Sequence, residues 1–279
     1  MFDAALKEMG DAKSNYWGPQ SFHDYCKKEK LKNARTAQYI SIDALSSLHK
    51  SLKKQNCMVL RLGIPSGEKH THFGIVQCLN GWEDYFLIDE HLFKETLPEL
   101  FIPSVSSKQL FPFTLLPAFT ETSLVNLALA SGLMAYALGI EDQALPLASA
   151  TGQSTFSFDF KPRKDLSLVW SHLKGQVEID SLFTAKRDGK ETVFVVECKA
   201  GANHDSLAKH KLLYPVLAIS TKVPPYMPIV PIYIRVITKP DGYHFYFCEC
   251  KVPKNEKGQV PILSEMKPVS QKHFVLRIS

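Results

Sequence analysis

Cysteine is scarce in this chain: six residues in 279 (Cys26, Cys57, Cys78, Cys198, Cys248, Cys250), with no C-x-x-C pair. That excludes a disulfide framework and a zinc ribbon. The first residues, MFDAALKEMGDAK, carry Asp3, Glu8 and Asp11 and no long apolar run, so they do not read as a secretory leader. Reduced thiols and no export signal point to the cytoplasm. No Walker loop, Rossmann glycine fingerprint or G-x-S-x-G elbow is present, which argues against an ATPase, a dinucleotide enzyme and an α/β-hydrolase. Repeats and low-complexity tracts are also lacking. One apolar stretch needs a membrane test: Thr122–Ile140 is uncharged for 19 residues. It contains Ser123, Asn126, Ser131 and many alanines and no flanking basic cluster, so it reads as a buried core helix, and no membrane partner is expected.

What remains is a globular composition, 45% hydrophobic and 22% charged, with a formal net charge of +5 that permits a polyanionic partner without demanding one. The length suits one large domain or two modest ones. Charge is unevenly placed. Gln20–Arg61 carries nine Lys/Arg against three acids, and Leu62–Leu100 carries two Lys against seven acids. The periodicity predicts a helix over about 42–55 capped by Ser41, with Lys50, Lys53 and Lys54 near its end. Strand-like runs follow at 57–64, 72–79 and 84–89, with Asn80-Gly81 as a hairpin signal. Prolines at 98, 103, 112 and 117 mark a connection. These signs divide the chain into an α+β module over residues 1–110 and a second domain over 111–279. The second opens on a long helix at about 121–139. A hairpin follows over 176–200, then a helix over 206–220 and strands around Lys239-Pro240-Asp241-Gly242.

The segment 191–200 is the informative one. Val193, Val195, Glu197 and Lys199 share one strand face, and Phe194, Val196, Cys198 and Ala200 the other. Apolar residues on both faces mean a central strand. A carboxylate and an ammonium at its end then need each other, a metal or a solvated cleft. On the preceding strand Glu178 and Asp180 share a face, and the hairpin turn would bring Asp180 to Glu197 and Lys199. Two carboxylates beside one lysine suit a hard divalent cation and an activated water.

Glu178-Ile179-Asp180, with Asp180 seventeen residues before Glu197-Cys198-Lys199, resembles the bipartite signature of the PD-(D/E)XK nuclease superfamily. The resemblance covers about the second half of the chain and departs from the motif in placing Ile179, not Pro, before the Asp. It implies an α/β (α+β), restriction-endonuclease-like mixed sheet flanked by helices. It also implies a Mg²⁺-dependent DNA endonuclease: a type II restriction enzyme first, a repair or Holliday-junction nuclease next, or a nuclease-like module that only binds nucleic acid. Asp180, Glu197 and the backbone carbonyl of Cys198 would be metal ligands, and Lys199 would orient or deprotonate the attacking water. Glu178 is a second acid or an exposed residue. Glu121 opens the long helix, where a carboxylate suits the dipole, and some relatives place an extra acid there. Lys211 and Tyr214 share a helix face that either reaches a phosphate or is simply solvated. Lys50, Lys53 and Lys54 are the DNA-binding candidates of the first module. Duplex cutters of this superfamily often work as homodimers.

Overall fold

The computed structural model describes residues 1–141, 146–252 and 260–278. It is a mixed α/β protein: a large mixed sheet with helices on both faces. The strands are β1 (Tyr16–Ser21), β2 (Cys57–Gly63), β3 (His72–Gln77), β4 (Phe86–Ile88), β5 (Pro98–Phe101), β6 (Ala150–Phe160), β7 (Trp170–Arg187), β8 (Lys190–Gly201), β9 (Ser206–Ala208), β10 (Ile229–Lys239), β11 (Gly242–Lys251) and β12 (Lys267–Leu276). The helices are α1 (Asp3–Asp11), α2 (Phe22–Lys28), α3 (Thr36–Tyr39), α4 (Lys50–Lys54), α5 (Asp89–Leu92), α6 (Ser107–Thr114), α7 (Glu121–Ala130), α8 (Leu133–Leu138) and α9 (His210–Ser220). The main sheet runs β1-β3-β2-β7-β8-β10-β11-β12-β5, with β6 also paired to β7; β4 and β9 form a separate two-stranded ladder.

The centre of the sheet is β8. It pairs antiparallel with β7 and parallel with β10. Its residues Thr192–Cys198 are buried, as apolar side chains on both faces require. Phe194, Val196 and Cys198 pack with Leu124 and Leu127 of α7 and Met134 of α8. Val193 and Val195 pack with Val216 and Ile219 of α9 on the other face. Asp188 and Gly189 both have positive φ, 51° and 72°, so the β7–β8 hairpin closes through a two-residue turn whose twist matches its strands.

Residues before 110 share this sheet and core. β2 joins β7 at the Gly63–Leu173 pair, β4 pairs with β9, and β5 pairs in parallel with β12. The buried carboxylate of Asp89 on α5 fastens the same halves. It accepts from Tyr233 Oη at 2.8 Å, Arg235 Nε at 2.7 Å and the Asp205 N–H at 2.8 Å.

Several expected elements change under tertiary contacts. The helix expected over 42–55 is only α4 and one 3₁₀ turn, Leu45–Ser47. Its first part is drawn out of helix because the Leu45 N–H donates to Ser206 Oγ at 2.8 Å and Ser46 Oγ donates to Asp205 at 2.6 Å. Asn80-Gly81 closes no hairpin; Asp84 instead accepts from the N–H groups of Leu79 (2.6 Å) and Asn80 (3.0 Å), and β4 leaves to pair with β9. The long helix breaks at Gly132, whose φ of +83° ends α7 and starts α8. Residues 206–208 are strand, and the following helix begins only at His210, with Pro215 inside it. The connection around 98–117 contains an edge strand and a short helix.

Gly63 has φ +76°, and a Cβ there would stand 2.8 Å or less from the backbone carbonyl carbon and oxygen of Leu173. The close approach that joins β2 to β7 therefore needs glycine. Gly63→Ala is expected to destabilise the fold by more than about 2 kcal/mol, combining the left-handed conformation with a backbone clash. Gly67→Ala, at φ +82° in open space, should cost only about 1 kcal/mol. Urea unfolding of both variants measures the difference, and equal costs would show that the β2–β7 contact is not tight.

Candidate active site

The β7–β8 ladder ends at the Ser181–Val196 pair, and Asp180 and Glu197 are the next residues on the two strands. They therefore face each other where β7 and β8 part. β6 and β7 shift register by one residue between the Ala150–Leu182 and Gly152–Ile179 pairs, so β7 carries an extra residue around Asp180–Ser181. Such a bulge bends a strand and re-aims a side chain. Asp180 Oδ2 accepts from the Cys198 N–H at 3.0 Å.

Glu197 is only 3% exposed. Burial pushes its carboxyl up to about 7, against the pull of Lys199 and Lys211 and with Asp180 adding to the rise. Lys199 Nζ stands 3.0 Å from Glu197 Oε1 and 3.1 Å from Glu121 Oε2. Burial works against this ammonium, but Glu197 and Glu121 outweigh it and hold its pKa above the ordinary value. Glu121 Oε1 also accepts from the Ala200 N–H at 3.3 Å. Thr120 supplies the N-cap of α7, so Glu121 is free to bridge α7 to the end of β8. Cys198 turns its thiol into the core, where burial raises it well above its ordinary value.

The helix α9 brings a second ammonium. Lys211 Nζ lies 3.2 Å from Asp43 Oδ1 and 3.9 Å from Glu197 Oε1. Burial opposes its charge, and Glu197 and Asp43 together keep its pKa raised. Tyr214 is buried and donates to the backbone oxygen of Arg61 at 3.3 Å. Glu178 is exposed on the rim. Asp180, Glu197, Lys199, Glu121 and Lys211 are thus brought together. Lys50 and Lys54 are exposed on α4, and Lys53 Nζ donates to the Ser46 carbonyl at 3.0 Å. Among the described residues no ion pair or hydrogen bond joins these three lysines to the Glu197 group.

Glu178 and Lys211 also line a cavity of about 280 Å³ with Asp43, Arg61, His172, His210 and Tyr214. No sequence signal singled out Asp43, Arg61, His172 or His210, because they converge only once the segment around Asp43, β2, β7 and α9 are assembled. A larger cavity, about 790 Å³, lies at β5 and β12 and includes none of Asp180, Glu197 and Lys199 in its lining.

For a divalent cation the available donors are the carboxylates of Asp180 and Glu197 and the carbonyl of Cys198. Among the described residues no group of three or more His, Cys, Asp or Glu is placed to hold a metal ion. An all-oxygen set of two carboxylates, with remaining positions left to water, is nevertheless the kind Mg²⁺ accepts. A buried carboxylate whose ionisation is opposed by burial is also one that a cation would stabilise. Such oxygen donors suit Mg²⁺ and the similar oxygen-preferring cations Mn²⁺ and Ca²⁺.

A family model described as "Domain of unknown function (DUF6997)" matches residues 94–273. Neither the curated proteins nor the solved structures yield a match. No helix among the described residues is long and apolar enough to cross a membrane.

The two cavity histidines make a pH prediction. Burial lowers His172 to about 4 and His210 to about 3 from an ordinary value of 6.5. Both are neutral when folded, and the unfolded chain binds more protons below 6.5. Their contribution to stability is therefore full above pH 6.5 and is lost as pH drops towards 4, while Glu197, raised to about 7, contributes the opposite trend below pH 7. For His172 alone the loss approaches about 3 kcal/mol at 1.36 kcal/mol per unit. His172→Phe should flatten the stability profile between pH 6.5 and 4 relative to wild type, whatever its constant offset. Parallel profiles would mean that His172 titrates normally.

Proposed function

We propose that this chain, which belongs to the DUF6997 family, is a Mg²⁺-dependent endonuclease of the PD-(D/E)XK kind that hydrolyses DNA phosphodiesters. The observation that carries this reading is the meeting of Asp180 and Glu197 at the parting of two central strands, with the Lys199 ammonium 3.0 Å from Glu197. The element order α7-α8-β6-β7-β8-β9-α9-β10 supports it, since the resemblance implies a helix, then a mixed sheet whose second and third strands carry the Asp and the Glu-x-Lys, then a helix and another strand.

A cation held by Asp180 and Glu197 would supply a Lewis acid beside the scissile phosphate. The chain's own residues do the rest. Lys199, fixed between Glu197 and Glu121, is a rigid donor that orients the attacking water and offsets charge developing on the phosphate. Held protonated by these acids, it acts as donor in the resting site. Lys211 places a second positive charge on the same side. Cleavage at fixed sites, giving discrete fragments from a plasmid, would mark a restriction enzyme. Preference for branched or damaged substrates would mark a repair or junction-cutting role. The network of two lysines and three acids also suits a second reading, a nuclease-like module that binds nucleic acid without cutting, because every charge in it already has a partner.

Supercoiled plasmid incubated with Mg²⁺ or EDTA decides between them. Nicking should need Mg²⁺ and should fall by about 10²-fold or more in Lys199→Ala, the range lost with a positioned acid–base group. DNA affinity should be retained by that variant, since contacts elsewhere supply it. Mg²⁺ should also raise the melting temperature of wild type and not of Asp180→Asn. Binding without cutting in any metal would leave the second reading.

The DNA path is tested separately. If Lys50, Lys53 and Lys54 touch phosphates, replacing all three by Ala lowers the slope of log affinity against log salt by about one unit for each phosphate no longer touched. An unchanged slope in a salt series would assign them to the solvated surface.

A further inference from the structure

We propose that the cavity beside Glu197 is a nucleobase pocket, which takes one planar heterocycle turned out of the nucleic-acid substrate. Its walls come from four places: the segment carrying Ser41 and Asp43, Arg61 on β2, His172 on β7, and His210 and Tyr214 on α9.

Three buried polar atoms of its lining residues have no partner among the described residues, Arg61 Nε, His172 Nε2 and His210 Nδ1. His210 is 6% exposed, so water at the surface does not serve it. Buried polar groups are normally satisfied, and exceptions call for a missing ligand or water.

Charge decides what kind of ligand. Arg61 and Lys211 line the cavity together with Asp43 and Glu178, Lys211 being paired to Asp43 at 3.2 Å, and burial favours the neutral form of the two histidines. The cations are therefore balanced, and a phosphate would meet two carboxylates. A neutral ligand carrying both donors and acceptors suits this lining better. The Arg61 guanidinium and Lys211 donate, the carboxylates accept, and the Ser41 hydroxyl does both. The wall is also aromatic, with the Tyr214 ring tilted 50° to that of His172. The His172 ring stacks on Phe158 at 4.8 Å and 12°, and Tyr214 lies 4.8 Å from His172. Bases turned out of a duplex are read by edge hydrogen bonds and stacking of this sort.

The cavity also lies at the right place. Glu178 is two residues from Asp180, and Lys211 Nζ is 3.9 Å from Glu197. A nucleotide whose base enters here has its phosphate next to the Glu197–Lys199 pair. That the base belongs to a nucleic acid rests on the nuclease reading; that the pocket binds a base does not.

The test uses the full-length protein in EDTA, so that cleavage plays no part. Adenosine, guanosine, cytidine and uridine are titrated by chemical-shift perturbation, with inorganic phosphate in parallel. At least one nucleoside should bind saturably and phosphate should not. Ala37→Trp, at an exposed lining position on α3, and His210→Phe should each weaken it about tenfold or more, the effect of about 1.4 kcal/mol. Duplexes carrying 2-aminopurine beside the everted position, where it loses its stacking neighbour, should brighten on binding wild type and stay dark with Ala37→Trp. Saturable phosphate binding, or nucleoside binding that survives Ala37→Trp, overturns the pocket. Nucleoside binding with duplexes that stay dark overturns the everted base and leaves a site for a free nucleoside. Nucleoside binding by a protein that never cuts DNA counts against the nuclease reading alone, whereas cutting without nucleoside binding counts against the pocket alone.

Discussion

Much of this architecture depends on one buried carboxylate. Glu197 sits at the end of the central strand with almost no access to water, and an isolated carboxylate there would be unstable. Lys199 and Lys211 approach the same oxygen from two elements, and each carries a further acid, Glu121 and Asp43. Through these contacts Glu197 fixes the start of α7, the start of α9 and the extended segment around Asp43 about one point. Breaking such a cluster by removing one partner is costly even where the whole network adds little net stability. The cluster thus defines positions more than it strengthens the fold.

The second constraint is the way the first hundred residues enter the sheet. β2 touches β7 at a single paired position, Gly63–Leu173, while β4 and β5 pair with strands far along the sequence. The polar cavity exists because of this weave: Arg61 and Asp43 come from the early part, His172, His210 and Tyr214 from the later part.

The strand pattern around 191–200 was legible in the sequence because alternation with apolar residues on both faces fits a buried central strand and little else. So was the hairpin through Asp188-Gly189, whose backbone needs are local. From these, the approach of Asp180, Glu197 and Lys199 followed by strand geometry alone. The family match and the mixed sheet are coarser than the nuclease reading, which stays a proposal built on that geometry.

Local pattern could not decide the rest. Residues 42–48 have helical spacing, yet hydrogen bonds to Ser206 and Asp205, some 160 positions away, take the backbone out of helix. Asn80-Gly81 has hairpin chemistry, but Asp84 captures the N–H groups beside it and β4 finds its partner at 206–208. The spacing of Lys211 and Tyr214 leaves a phosphate contact and a solvated face both open, and only the docking of α9 sets Lys211 between Asp43 and Glu197. What the sequence determined by itself was the periodic, local part: the buried strand, its polar end and the tight turn before it. Tertiary structure alone decided which distant charges meet that end, because a buried charge is satisfied by whatever partner the packing brings, and nothing in the spacing of residues along the sequence records that.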